Sequence, residues 1–514
     1  MNTHNANAVS WFVDRHPDEG RGDKLAFCEA WEEGRELSYD ALASQSGQVA
    51  GAFGAANIKS GERAALFVLD QIEFPLLFWG ALKAGVVPVP LNTLLSTDVY
   101  RRILQDSQAS IAFISVELLD TVLPAVKASD FIKHIIVVGT QANAAELTLH
   151  DFMQDAKEQE AIGCSADDVA FWLYSSGSTG APKGVRHTHK SLRYTCDTYA
   201  TRVLDIRNDD TVFSVAKLFF AYGLGNGMSF PLSVGATSLL FNARPTPESV
   251  TEILASYKPT IFYGVPTLYA ALVHQWESSG TKPDAPLRTC VSAGEALPAE
   301  IGRRWQALWD VDILDGVGST EMLHIFLSNQ SGDVQYGTSG QAVPGYELRL
   351  VDEHGENVNV GEIGELLVRG GSSALDYWNQ PDKTLTTFEG QWTRTGDKYE
   401  LTASGRYVYC GRTDDMFKVS GIWVSPFEIE QALVEHPAVL EAAVVARRDD
   451  NDLEKPIAFV VLKDTTRAQP AKELQDFVKA KIGLWKYPRW IDVVDELPKT
   501  ATGKIQRFKL RESI

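Results

Sequence analysis

The stretch YSSGSTGAPKGV at residues 174–185 holds three glycines, four serine or threonine hydroxyls and one lysine. Glycine lets backbone N–H groups converge on an anion, and hydroxyls and an ammonium add donors and charge. A polyphosphate fits that chemistry. The spacing is not that of the Walker loop, because Gly177 and Gly180 stand close together and Lys183 follows a proline. A flexible surface linker is the plain alternative. The flanks argue against it. DVAFWLY (168–174) reads as a buried strand, and Thr188 is placed to cap a helix through KSLRYTCDTYA (190–200). A strand, a glycine-rich turn and a helix start make a phosphate cradle, which sets an α/β expectation for the chain.

Working outward, strand-like and helix-like runs alternate. RAALFVLD (63–70) precedes a helical run from Glu73 to Ala84, and VVPVPL follows. TDVYRRILQDSQA reads as a helix, and IAFIS and HIIVVG as strands. This alternation predicts layered α/β units with largely parallel sheets. From about Val334 to Gly411 short strands with glycine turns predict a compact β subdomain. Beyond Thr413 the pattern is helix (SPFEIEQALVEHP), two strands (VLEAAVVAR, KPIAFVVL) and helix (AKELQDFVKAKI), a small α+β domain. The expected organisation is an N-terminal domain over 1–412, with two layered α/β subdomains and a small β subdomain, and a mobile C-terminal domain over 413–514.

The chain has 514 residues and a formal charge of −19, from 48 basic against 67 acidic side chains. That balance argues against a nucleic-acid or anionic-membrane surface, so an anionic ligand needs a local basic pocket. Five scattered cysteines show no zinc spacing and fit reduced thiols. The N-terminus lacks the basic start and apolar core of a signal peptide, and the expectation is a cytoplasmic protein.

Further short motifs are weak one at a time. LDGVGSTEM (314–322) ends a glycine-rich turn in Thr320 and Glu321, a pair suited to a phosphate and Mg²⁺. RTGD (394–397) and GRTDD (411–415) are ordinary turn chemistry, and PKTATGKIQRFKLR (498–511) reads alone as a solvated basic tail. HTH (187–189) has no third ligand nearby to make a metal site.

Together, in this order, these motifs and SAGEALP (292–298) resemble the adenylate-forming superfamily of acyl- and aryl-CoA synthetases, peptide-synthetase adenylation domains and firefly luciferase. The resemblance spans nearly the whole chain. It is closer to bacterial benzoate-CoA ligases through AKLFFAYGLGNGMSFPLSVGAT (216–237) and GSTEMLHIFLSN (318–329). It implies that Ser175, Ser176, Gly177, Ser178, Thr179, Gly180 and Lys183 wrap the β- and γ-phosphates of ATP. Gly294, Glu295, Ala296 and Asp315, Gly316, Val317, Gly318, Ser319 and Thr320 are then expected at adenine and the α-phosphate. The expected metal residue is Glu321, holding Mg²⁺, and Asp397 and Arg412 bind the ribose. Lys504 would be the catalytic lysine, with Thr320 and Glu321 beside it. Where many relatives stack an aromatic ring on adenine this chain has Val317, so aliphatic packing replaces stacking.

The resemblance also implies a two-step reaction. A carboxylate attacks the α-phosphate to give an acyl adenylate and pyrophosphate, and coenzyme A then displaces AMP. Rotation about Asp414 would bring Lys418, Ser420 and Gly421 to the incoming thiol. Phe220, Ala221, Tyr222, Gly223, Ala293, Gly318, His324 and Ile325 are the expected acyl pocket. Glycine at 318, where acetate-activating relatives have tryptophan, leaves room for a planar ring. Ala221 stands where amino-acid-activating domains keep an aspartate for the substrate ammonium. The implied substrates are benzoate or a substituted benzoate, ATP and coenzyme A, with a homodimer allowed. A stand-alone enzyme loading an aryl group onto a carrier protein is the competing expectation, and a nucleotide-binding sensor without turnover a more distant one.

Overall fold

The computed structural model describes residues 6–139, 147–176, 182–413, 415–419, 422–449, 453–464, 470–483, 486–499 and 505–514. The apolar runs of the first part become a parallel sheet in the order Val87–Pro90, Arg63–Phe67, Ile111–Ser115, His134–Val138, Leu147–Thr148. Pro88 and Pro90 remove ladder donors, and their strand accordingly takes the edge. The helix Glu73–Ala84 lies beside it, ended by Gly85 at φ 70°, where a left-handed residue closes the last turn.

A second sheet of nine strands runs in the order Gln341–Ala342, Ile325–Ser328, Ile313–Gly318, Thr289–Ser292, Ile261–Gly264, Thr211–Ser214, Thr237–Leu240, Leu25–Glu29, Glu36–Ser38. Its interior is parallel, and the strands at Ile325–Ser328, Gln341–Ala342 and Glu36–Ser38 are antiparallel to their neighbours. Helices Pro247–Tyr257, Pro266–Ser279 and Ala299–Trp309 cover one face around Trp276, Trp305 and Trp309. Asp315 to Thr320 therefore leave the C-terminal end of an interior strand, where open α/β sheets bind ligands.

The expected β subdomain is an antiparallel sheet of Glu347–Val351, Ile363–Arg369 and Trp392–Leu401, flanked by Phe388–Glu389 and Tyr407–Arg412. The final part pairs Val439–Arg448 with Glu454–Leu462 and adds Trp490–Val493 in parallel, under helices Pro426–Val434 and Ala471–Ile482. The architecture is the α/β one read from the sequence, with a small α+β part at its end. Among the described residues no helix is long and apolar enough to cross a membrane.

One local expectation is corrected. The glycine-rich loop does not join a strand to a helix. Val169–Ser176 pairs antiparallel with Pro182–Thr188, with Ser175 opposite Lys183 and Tyr174 opposite Gly184. The loop is the tip of a hairpin. The helix from His189 starts at the far end of the second strand, so its dipole does not point at the loop. Thr188 does precede that helix in an extended conformation, but its hydroxyl meets Ser191 Oγ at 3.0 Å rather than a backbone N–H.

Candidate functional site

Three chain segments converge on the stem of this hairpin. Arg186 forms an ion pair with Asp376, with Nε 2.6 Å from Oδ1, and the short strand Asp376–Tyr377 pairs with Val185 and Arg186. Backbone N–H groups of Leu375 and Trp378 donate to Arg186 and Gly184, and that of Ala374 to the carbonyl of Glu321. His187, buried and stacked on Phe171, donates from Nε2 to the carbonyl of Thr320 at 2.8 Å. Burial pushes its pKa down to about 4, so it is a neutral donor.

This scaffold places Lys183, Tyr377 and Glu321 in a row. The Tyr377 hydroxyl donates to Glu321 Oε1 at 2.7 Å, and Lys183 Nζ lies 3.4 Å from that hydroxyl and 4.5 Å from the ring centroid. Desolvation lowers the Lys183 pKa and the charge of Glu321 opposes that shift. Ser175 Oγ is buried without a partner among the described residues. Ser175 stands opposite Lys183 in the strand register, and an orphaned hydroxyl with a partly desolvated ammonium is chemistry that suits an oxyanion.

Asp397 and Arg412 face each other across two antiparallel strands, with Nη1 3.0 Å from Oδ1. Gly396 between them has φ 72°, and a Cβ there would lie 2.9 Å from the Arg412 guanidinium. Glu295, in the turn after strand Thr289–Ser292, accepts from the backbone N–H of Ile505 at 3.2 Å. The chain end is thus seated against the expected nucleotide turn. Arg507 holds it on the small α+β part through both Glu430 oxygens, at 2.9 and 2.7 Å, and Arg511 pairs with Asp415 at 2.8 Å.

Of the expected acyl-pocket residues, Tyr222 meets His324, and Gly318 pairs with Ile325. His324 is buried and its Nε2 faces Asn226 Oδ1 at 3.1 Å and the Tyr222 carbonyl at 3.3 Å. Both are acceptors, so Nε2 carries the proton and Nδ1 is left without a partner. Burial pushes the His324 pKa down to about 3. Phe230, Tyr199 and Tyr222 surround the imidazole at centroid distances of 4.4, 5.4 and 5.6 Å. Ala221 and Ala293 are small and buried, and Ile325 pairs with Gly318. Phe220 packs on Phe219 and is half-buried. Val317 packs on the main core, Ser319 Oγ accepts from Met322 N at 3.1 Å, and buried Asp315 has its pKa driven up by desolvation.

Gly318 has a backbone reason to be glycine. A Cβ there would sit 2.5 Å from the His324 carbonyl oxygen and 2.8 Å from Ile325 N. At Gly223 a Cβ would lie 2.1 Å from the Lys217 carbonyl oxygen. Leu323, between Glu321 and His324, has φ 66°, a costly conformation for a leucine.

Gly177, Ser178, Thr179, Gly180, Asp414, Ser420, Gly421 and Lys504 lie outside the described residues, as do the side chains of Ser176 and Lys418. Sequence reading missed Tyr377, His187's bond to Thr320, Tyr199, Asn226 and Phe230. The phrase RHTH carried a signal for His187, a buried polar residue in a hairpin strand. Tyr377 sits in a two-residue strand and carried none.

A profile of the AMP-binding enzyme family matches residues 14–378, and that of the AMP-binding enzyme C-terminal domain matches 428–504. The chain belongs to the AMP-binding enzymes. Within that family it is 52% identical over 511 residues to a 4-hydroxybenzoate–CoA/benzoate–CoA ligase of Rhodopseudomonas palustris, covering 98% of this chain and 94% of the relative. It is 51% identical to a benzoate–CoA ligase of Thauera aromatica, covering 99% and 96%. Among solved structures, a benzoate CoA ligase from Burkholderia xenovorans LB400 superposes with TM-score 0.90 at 46% identity, covering 98% and 99%. An anthranilate CoA ligase in complex with anthranoyl-AMP gives TM-score 0.94 at 40% identity, covering 100% and 98%.

Proposed function

We propose that this AMP-binding enzyme is an ATP-dependent aryl-CoA ligase that activates benzoate or a substituted benzoate as the adenylate and transfers it to coenzyme A. The observation that carries the reading is the adjacency of two sites on one turn. Glu321 meets Tyr377 beside the Lys183 hairpin, while His324, three residues on, packs among Tyr222, Tyr199 and Phe230, and Gly318, three residues before, pairs with Ile325 next to it. An acid in the slot has its carboxylate toward the α-phosphate. Orientation of two reactants in this way supplies much of a rate enhancement.

Lys183 and the hairpin hydroxyls hold the β- and γ-phosphates, Asp397 and Arg412 the ribose, and Gly294–Ala296 with Asp315–Thr320 the adenine and α-phosphate. Val317 supplies aliphatic packing to the base. The buried histidine among the Tyr222, Tyr199 and Phe230 rings is neutral, so the surroundings favour an uncharged aromatic ring over a second anionic group. Lys504 brings a cation to the carboxylate and α-phosphate oxygens during the first step, where charge develops. The N–H of the following residue, Ile505, donates to Glu295 Oε1. Residues 413–514 then move as a unit about Asp414, and Lys418, Ser420 and Gly421 face the thiol. Alternation of this kind lets one site serve two steps.

No group of three metal-ligating side chains occurs among the described residues. A lone carboxylate at Glu321 suits Mg²⁺, which is held by one or two protein oxygens plus substrate phosphates. Bound there, it offsets triphosphate charge and makes pyrophosphate a better leaving group.

Coenzyme A is favoured over a carrier protein as acceptor. Two relatives above 50% identity are named as CoA ligases, while a p-hydroxybenzoic acid–AMP ligase of Mycobacterium tuberculosis stands at 32%. We place the enzyme in the cytoplasm, where its three substrates occur. The test is release of AMP with a panel of aromatic and aliphatic acids, with and without coenzyme A. Benzoate-dependent ATP–pyrophosphate exchange and CoA-dependent AMP release are expected. Exchange without CoA-dependent turnover would overturn the acceptor, and absence of both would overturn the function.

A further inference from the structure

We propose that Tyr377 is a positioning residue for the triphosphate, holding the Glu321 carboxylate through its hydroxyl and the Lys183 ammonium against its ring and hydroxyl. The inference rests on the ATP-dependent reading above. An exposed tyrosine in a short loop would carry no such weight, but Tyr377 is 4% exposed and its backbone is held at several points. Its own strand pairs with the hairpin at Val185, and its N–H donates to Thr384 Oγ1 at 3.1 Å. Before it in the chain, Asp376 is clamped by Arg186 and Ala374 N donates to the Glu321 carbonyl at 2.7 Å; after it, Trp378 N donates to the Gly184 carbonyl at 2.8 Å. The residues 374–378 are therefore a strap from the phosphate hairpin to the turn bearing the acid.

The hydroxyl at the middle of this strap separates two opposite charges. Lys183 and Glu321 would otherwise collapse into a direct ion pair, since a half-desolvated ammonium seeks a carboxylate. A paired lysine is a poor phosphate ligand, and a paired glutamate a poor metal ligand. Tyr377 prevents that by satisfying each partly. It donates to one Glu321 oxygen at 2.7 Å, leaving the other for a cation. It offers Lys183 only the face of its ring, 4.5 Å from the centroid, and a long 3.4 Å contact. The ammonium keeps donors free for phosphate oxygens. Ring and hydroxyl thus have separable duties, the ring toward Lys183 and the O–H toward Glu321.

Three variants separate the duties. Tyr377→Phe keeps the ring and removes the donor, Tyr377→Leu removes both, and Glu321→Gln removes the acceptor. Binding of α,β-methylene-ATP is measured by calorimetry with and without Mg²⁺, beside thermal melting and both half-reactions. Tyr377→Phe is expected to weaken binding roughly tenfold with Mg²⁺ and much less without it, as loss of a hydrogen bond to a charged group predicts. Tyr377→Leu is expected to weaken binding under both conditions. Thioester formation from presynthesised benzoyl adenylate is expected to stay within about twofold in Tyr377→Phe. Adding Tyr377→Phe to Glu321→Gln is expected to cost nothing further, because the two act as a unit.

Equal losses with and without Mg²⁺, additive losses in the double variant, or a parallel fall of both half-reactions with the melting temperature would each overturn the role. Wild-type protein that fails to bind the nucleotide would overturn the ATP reading itself. Wild-type binding with an unaffected Tyr377→Phe variant would overturn this inference alone.

Discussion

His187 donates its Nε2–H to the carbonyl oxygen of Thr320 at 2.8 Å and so joins the hairpin of Val169–Ser176 and Pro182–Thr188 to the turn that bears Glu321. The two segments are far apart in sequence and neither is long enough to hold the other by packing. This buried hydrogen bond sets their spacing together with the strap of residues 374–378. Its loss strands a carbonyl that has been removed from water, which costs about 1–3 kcal/mol. His187→Leu preserves bulk against Phe171 and should raise the KM for ATP about tenfold in the adenylation half-reaction. Transfer from presynthesised adenylate to coenzyme A should change far less. Separate assay of the two half-reactions decides it, and equal losses in both would show a general folding defect instead.

The same hairpin shows how far the sequence could be read. The apolar run before the loop announced Val169–Ser176, and helix Glu73–Ala84 had the bounds its pattern suggested. PKGVRHT, in contrast, begins with proline and mixes charge with glycine, so no alternation marks it as a strand. Only backbone pairing with its neighbour makes it one. Leu25–Glu29 is a strand by its own residues, yet its place beside Thr237–Leu240 is a tertiary fact. The motifs that suggested nucleotide residues could be read because their spacing is local. Tyr377, Asn226 and Tyr199 reach the site through long-range packing, and no local pattern advertises them.

Lys504 is proposed to act only while charge develops on the α-phosphate, so Lys504→Ala should cut adenylate formation by at least a hundredfold. Thioester formation from presynthesised benzoyl adenylate should be largely spared. An interaction made in one transition state is removed from that step alone. Glu295→Ala, which frees the Ile505 N–H, should show a weaker form of the same split. Pyrophosphate exchange and single-turnover CoA transfer measure the two steps. A Lys504→Ala enzyme equally slow in both would refute the assignment.

His16 governs an acid-sensitive part of the stability. It donates from Nε2 to the Leu232 carbonyl at 2.7 Å, while Nδ1 accepts from Arg21 Nε at 2.8 Å. Protonation would turn that acceptor into a donor facing a guanidinium, with Arg15 also close. Burial, with Arg21 and Arg15, pushes the pKa down to about 4 against 6.5 in the unfolded chain, outweighing the Leu232 bond and Glu19. The unfolded state binds the proton first, so this contribution is complete above pH 6.5 and is lost as pH falls toward 4. The full shift is worth on the order of 3 kcal/mol. His16→Gln should melt lower than wild type at pH 7.5 but lose less melting temperature between pH 7.5 and 5. Parallel melting curves across that range would exclude His16 as the titrating group.

Gly318 provides the sharpest test of the slot. From the sequence, glycine leaves room for a ring, and a larger residue there would be expected to trade benzoate for a short acid. The structure adds a second demand. A Cβ at 318 would come within 2.5 Å of the His324 carbonyl oxygen and 2.6 Å of its carbonyl carbon, both backbone atoms. Backbone cannot rotate aside as a side-chain tip can. Gly318→Ala must push Ile325 and His324 outward, disturbing the imidazole that Tyr222, Tyr199 and Phe230 enclose. Overpacking of this kind costs about 1–3 kcal/mol, or roughly tenfold to a hundredfold in an equilibrium constant. Turnover of benzoate should fall by that order, and propionate should gain nothing, because the slot is distorted rather than shortened. ATP binding should weaken less than benzoate turnover falls, since Gly318 is only one of the residues proposed at the nucleotide and Lys183, Asp397 and Arg412 are held by other strands. Initial rates of AMP release with benzoate and propionate, beside ATP titration, distinguish the two accounts. A Gly318→Ala enzyme that exchanges benzoate for propionate would show that the backbone yields and that volume alone sets the choice of acid.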